Sequence, residues 1–173
     1  MLGNKAKLTL NIPNISKSFP FRRKEALVIL LWGVVLGIVV SEVYWVGYQT
    51  IPLLYYYKQA YGWYETPNPT IWDLLLVLVV SVFFGALISD TKALFYGYIV
   101  GMILAFLLSF IYVLFYMWNV LRLEYLFTFT DFNWEWAVLF AIWNVGKIMF
   151  PQVIFLSLLG VVFGALIRER FGY

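Results

Sequence analysis

The sequence predicts an all-α integral membrane protein: a four-transmembrane-helix bundle made of two parallel two-helix repeats, with a short interfacial or re-entrant helix before the last span. Three observations predict it. Of 173 residues, 64% are hydrophobic and only 12% are charged, about half the charge of an average soluble domain. Long apolar runs recur along the chain. Two of them carry near-copies of the other two.

Residues 1–24 are polar and basic, with Lys5, Lys7, Lys17, Arg22, Arg23 and Lys24, and Pro13 and Pro20 break any long helix. This segment reads as a cytoplasmic N-terminal tail. The first span runs over about 25–48 and is apolar without interruption to Val40. At 1.5 Å per residue it crosses a hydrocarbon core of about 30 Å. A cleaved signal sequence fits worse, because the run is long and starts late and has no small-x-small cleavage site.

Residues 49–69 form a loop rich in Tyr, Trp and Pro, residue types that favour the headgroup zone or break helices. The second span is expected over 71–89 and a cytoplasmic turn over 90–92. The third span follows at about 93–118, and a second outer loop occupies 119–133. The final apolar stretch, 134–167, is too long for one perpendicular crossing, roughly 50 Å as a straight helix. Asn144, Gly146, Lys147 and Pro151 interrupt it. The reading is therefore an interfacial or re-entrant helix over about 134–148 and a fourth span over about 150–167, with Pro151 in its first turn, where proline is tolerated. The units are thus a first two-helix repeat over 25–89 and a second over 93–173.

The basic residues set the expected orientation. With both termini in the cytoplasm, Lys5, Lys7, Lys17, Arg22, Arg23, Lys24, Lys92, Arg168 and Arg170 lie inside, and Lys58, Arg122 and Lys147 outside. The expected location is the cell membrane, crossed several times.

The repeat is carried by two matches. Trp32-Gly33-Val34-Val35-Leu36-Gly37 parallels Tyr96-Gly97-Tyr98-Ile99-Val100-Gly101, and Phe84-Gly85-Ala86-Leu87-Ile88 is identical to Phe163-Gly164-Ala165-Leu166-Ile167. The offsets are 64 (33 to 97) and 79 (85 to 164), and their difference equals the length of the extra segment 134–148. The matched positions are also small. Gly33/Gly37, Gly97/Gly101 and Gly160/Gly164 are GxxxG pairs, and Ser81/Gly85 is their small-xxx-small counterpart. Residues four apart share a helix face, and small ones let membrane helices approach closely. Tyr44, Trp45, Tyr48, Trp72, Phe115, Tyr116 and Trp118 make the outer half bulky, which predicts helices splayed around an outward aromatic vestibule.

Chemistry has few carriers. The chain has no Cys and no His, which removes disulfides, thiolate nucleophiles and imidazole catalysis or ligation. No ionisable residue falls at mid-span, which weighs against a proton relay or an intramembrane hydrolase. Glu42, Asp73 and Lys147 are expected at one level near the outer boundary, as a small polar cluster or as headgroup-solvated interfacial charges. Asp90 and Glu169 read as helix-end charges. No catalytic constellation, metal motif or cofactor fingerprint appears, and no nucleic-acid-binding window. The expected partners are membrane lipids and other membrane subunits or a second copy. The function expected from this is a non-catalytic subunit or scaffold. The alternative is a transport or ligand-binding module for a small, largely apolar solute.

Overall fold

The computed structural model describes residues 23–49, 68–119 and 133–171. Every regular element among them is helical: α1 (Arg23–Gln49), α2 (Ile71–Leu87), α3 (Thr91–Asn119), α4 (Asn133–Ile148), a π-helical turn (Met149–Val153) and α5 (Ile154–Phe171). The N-terminal tail up to Arg22 and most of the two expected outer loops lie outside the described residues, as does the side chain of Tyr48.

Three helical stretches are long and apolar enough to cross a membrane: Arg23–Gly47, Thr91–Asn119 and Trp134–Phe171. The apolar helix Ile71–Leu87 is shorter. Its 17 residues rise about 26 Å. Large apolar side chains are exposed on all of these helices, Leu31, Trp72, Ile111 and Phe155 among them. Water would not tolerate so continuous an apolar surface, whereas a bilayer solvates it.

Local chemistry sets the helix ends. Thr70 caps α2: its hydroxyl accepts from the Asp73 backbone N–H at 3.3 Å, and the Asp73 carboxylate accepts from the Thr70 backbone N–H at 2.8 Å. This reciprocal capping box satisfies two N–H groups that the helix start leaves unbonded. At the other end Ile88 turns extended (φ −91°, ψ 116°), so α2 stops two residues short of the expected boundary. α3 starts at Thr91, inside the expected turn, because Asp90 caps it. The Asp90 carboxylate accepts from the Lys92 N–H at 3.1 Å, and its carbonyl from the Leu94 N–H at 2.8 Å.

The final stretch is broken, and the break spreads over a turn. Phe150 leaves helical geometry (φ −104°, ψ 133°), and the Phe150–Pro151 peptide is cis. Pro151 cannot donate to the carbonyl four residues back, which interrupts the ladder. Pro151 therefore sits ahead of α5 rather than in its first turn, and α5 runs on to Phe171.

The packing has two tight pairs. α2 lies against α5, and α1 against α3. Contact between α1 and α2 is looser, and α4 packs on α3 and α1. Partners within each tight pair run in the same direction: Leu78 and Ser81 lie beside Gly160, and Val82 and Ala86 beside Gly164. The α1–α2 pair runs antiparallel, because Glu25 meets Ser89 while Trp32 meets Ser81. The core is Leu, Val, Ile and Phe with small residues between, and it includes Leu36, Val40, Val77, Phe84, Ala105 and Val113.

Candidate functional site

Helices α1, α2, α3 and α5 meet at a node of aromatic rings and hydroxyls. Trp32 of α1 is buried, and its indole stacks on Phe84 of α2 with ring centroids 4.3 Å apart and planes 16° from parallel. A buried indole N–H needs an acceptor. Trp32 Nε1 finds one in Ser81 Oγ at 3.2 Å. Tyr98 of α3 tilts against the same indole at 5.4 Å. Its hydroxyl donates to the Ile154 carbonyl of α5 at 3.1 Å and lies 3.1 Å from Ser157 Oγ. Ser157 reaches the same carbonyl at 3.0 Å. Nearer the Gln49 end of α1, the Gly37 carbonyl accepts from Ser109 of α3 at 3.1 Å and from Ser41 at 2.7 Å.

The donors of Trp32, Tyr98, Ser157, Ser109 and Ser41 end on another side chain or on a backbone carbonyl. Among the described residues, no side-chain base is hydrogen-bonded to these hydroxyls to make them nucleophiles. What the arrangement does chemically is hold helices together in a low-dielectric interior, where an unpaired hydroxyl or indole N–H is costly. Among the described residues, no group of three or more Asp, Glu, His or Cys side chains is placed to hold a metal ion.

The glycine positions lie at the seams of the two tight pairs. A Cβ on Gly33 would come within 2.9 Å of the Gly101 carbonyl oxygen, and one on Gly101 would strike the Trp32 ring. A Cβ on Gly97 would meet the Ile29 side chain at 2.8 Å, and one on Gly37 would meet Leu108 at 3.1 Å. In the other pair, a Cβ on Gly85 would run into the Val161 carbonyl, and one on Gly164 into the Val82 carbonyl. Gly160 stands 2.7 Å from Ser81 Cβ by the same construction. The two seams differ in register. Ser81 faces Gly160 across the α2–α5 seam, 79 positions on. Gly33 faces Gly101, 68 positions on, rather than its sequence counterpart Gly97.

No family model, curated protein or solved structure matches the chain. Its residues and geometry alone carry the functional reading.

Glu42, Asp73 and Lys147 are not joined. By the antiparallel register of α1 and α2, Glu42 falls beside the start of α2, level with Asp73. Asp73, however, is turned onto Thr70, accepting from both its N–H and its hydroxyl, at 2.8 and 2.7 Å. The Lys147 ammonium sits over the Trp143 ring, 4.8 Å from its centroid. Glu42 is exposed. Among the described residues no hydrogen bond or ion pair links the three. Of the bulky residues near that level, Tyr44 and Tyr116 are buried and meet edge to face at 5.5 Å, while Trp72, Phe115 and Trp118 point outward.

Sequence reasoning missed Trp32, Tyr98, Ser157 and Asn144. Trp32 and Tyr98 adjoin the first glycines of their GxxxG pairs, and Ser157 lies one turn before Gly160, so a search for polar side chains on the glycine faces would have found them. Asn144 is fully buried on α4. Its Nδ2 donates to the Phe140 carbonyl at 2.8 Å, and its Oδ1 has no partner among the described residues. Glu25 and Arg168 are buried charges at the other end of the helices. Ser89 Oγ donates to Glu25 at 3.4 Å.

Proposed function

We propose that the chain is a non-catalytic scaffold or subunit of a membrane assembly. It crosses the bilayer four times, with both termini in the cytoplasm, as two like-oriented helical hairpins. The observation that carries the scaffold reading is the internal use of the polar groups. Trp32, Tyr98, Ser157 and Ser109 direct their donors at Ser81, at one another and at backbone carbonyls, which is adhesive rather than solute-binding chemistry. The outward faces of the helices, with Leu31, Trp72, Ile111 and Phe155 exposed, are left for lipid or for partner helices.

The α2–α5 seam supports the duplicated hairpin. There Ser81 faces Gly160 at the same 79-residue offset that relates the two identical pentapeptides. A two-helix unit copied once would pair its second helices in this way, about an axis along the membrane normal. The one-turn slip at α1–α3 places Gly101 against the Trp32 ring, a local departure from that symmetry. Counting α2 as a crossing gives the inside nine of the twelve basic residues.

Purification in mild detergent tests the scaffold reading. It expects stoichiometric membrane partners or a defined oligomer of this chain. A lone, monodisperse protein that carries a small apolar solute overturns it in favour of a transport module. Topology is tested separately. The chain has no native Cys, so single cysteines placed near each terminus should both resist a membrane-impermeant thiol reagent added outside intact cells.

A further inference from the structure

The helices fall into two groups, and the described chain passes between them only at non-helical points. One group is α1, α3 and α4; the other is α2 and α5. Within the tight pair of each group, α1–α3 and α2–α5, backbone approaches backbone, and α4 joins the first group through its packing on α3 and α1. Gly33 lies against the Gly101 carbonyl in the first, and Gly85 and Gly164 lie against the Val161 and Val82 carbonyls in the second. The α2–α5 seam is largely backbone against backbone, and the α1–α3 seam adds the Trp32 ring against Gly101 and Ile29 against Gly97; close-packed surfaces of this kind shift between discrete arrangements rather than deform continuously.

Across the boundary the joining groups are long side chains. Trp32 reaches Ser81 and Phe84, Glu25 accepts from Ser89, and Tyr98 bridges α3 to Ile154 and Ser157 of α5. The crossing from α2 to α3 is the extended turn at Ile88 (φ −91°, ψ 116°). The crossing from α4 to α5 is at Phe150 (φ −104°, ψ 133°). Hinge motions concentrate their φ/ψ changes at a few residues of this kind, at the ends of elements.

From this geometry we infer that the two groups are rigid bodies that rock against each other about Ile88–Asp90 and Phe150, with the Trp32–Ser81 and Tyr98–Ser157 contacts as the latch between them. Interhelical hydrogen bonds in membranes are individually weak, so the latch opens without unfolding either body. The inference rests on helix packing and not on the scaffold reading. A transporter built the same way would rock on the same joints.

The absence of native cysteine makes the test direct. Spin labels are placed on lipid-exposed residues through paired substitutions and read as distance distributions by double electron–electron resonance in phosphatidylcholine nanodiscs. Ile103→Cys with Leu158→Cys spans the boundary; Val79→Cys with Leu159→Cys lies within the second body. All four positions are exposed. Adding Tyr98→Phe and Ser81→Ala, which remove both hydrogen bonds and keep both helices, should widen or shift the boundary distribution by about 2 Å or more and leave the other unchanged. The inference is overturned if the boundary distribution does not respond, or if both respond equally. Tyr98→Phe alone, which keeps the ring, gives the same reading in smaller measure should the double variant not fold.

Discussion

The indole nitrogen of Trp32 donates to the hydroxyl of Ser81 across 3.2 Å, between two helices that are otherwise only loosely packed. Both residues are buried. The bond thus links a residue beside one glycine seam to a residue inside the other. Removing either partner leaves the other's polar atom facing hydrocarbon.

A double-mutant cycle on Trp32→Phe and Ser81→Ala should return a coupling of roughly 0.6–1.7 kcal/mol, the range of interhelical hydrogen bonds in membranes. Unfolding of the detergent-solubilised protein by a denaturing surfactant measures it. Additive single effects would mean that the bond contributes nothing.

Gly85→Ala and Gly164→Ala should each destabilise the protein by about 2 kcal/mol or more, because the added methyl meets backbone rather than a movable side chain. Gly146 is the control. A Cβ there meets nothing within 4 Å, so Gly146→Ala should be neutral or stabilise by up to about 1 kcal/mol through helix propensity. Melting midpoints of the three variants in one detergent check the contrast. Equal losses at all three would disconnect the seams from stability.

Asp73 is engaged as a cap, so Thr70→Ala and Asp73→Ala should cost about the same, on the order of 1 kcal/mol each, and the pair little more than either alone. If Asp73 instead serves a polar cluster with Glu42 and Lys147, the losses in Asp73→Ala and Glu42→Gln will be coupled, and Thr70→Ala will leave them untouched. Stability of the single and paired variants separates the two.

Asn144 buries a carbonyl oxygen that has no partner among the described residues, and an unpaired buried acceptor costs about 1–3 kcal/mol. Replacing it by the near-isosteric Leu should leave stability unchanged or raise it, whereas Asn144→Ala should lower it by opening a cavity. A loss with Leu as large as with Ala would reveal a donor to Oδ1 in the folded protein, read from the same unfolding curves.

The helical class and most helix ends were legible in the residues. So was the break near Pro151, because missing N–H groups and apolar run lengths act locally. Two ends shifted at the α2–α3 turn, and the start of α5 moved past the break at Phe150. Asp90 pulled the start of α3 back to Thr91, and the extended Ile88 ended α2 early. The node was not legible. Trp32, Tyr98 and Ser157 look like ordinary span residues until four helices bring them and Ser81 within hydrogen-bonding reach. Equally, Glu42, Asp73 and Lys147 share a level that the sequence implies, but Asp73 and Lys147 rotate onto nearer partners, Thr70 and Trp143.

By itself the sequence determined that this chain needs an apolar solvent, where its helices lie along the chain, and which faces carry only small side chains. These depend on composition and on the fixed pitch of a helix, and a single strand of residues contains both. Only the tertiary structure decided which seam meets which, that Gly33 slips one turn past Gly97 to Gly101, and where each buried donor finds its acceptor. Those outcomes depend on rotations and translations between helices. Many registers bring small residues together with nearly equal van der Waals contact, and the positions of a few buried polar atoms select among them.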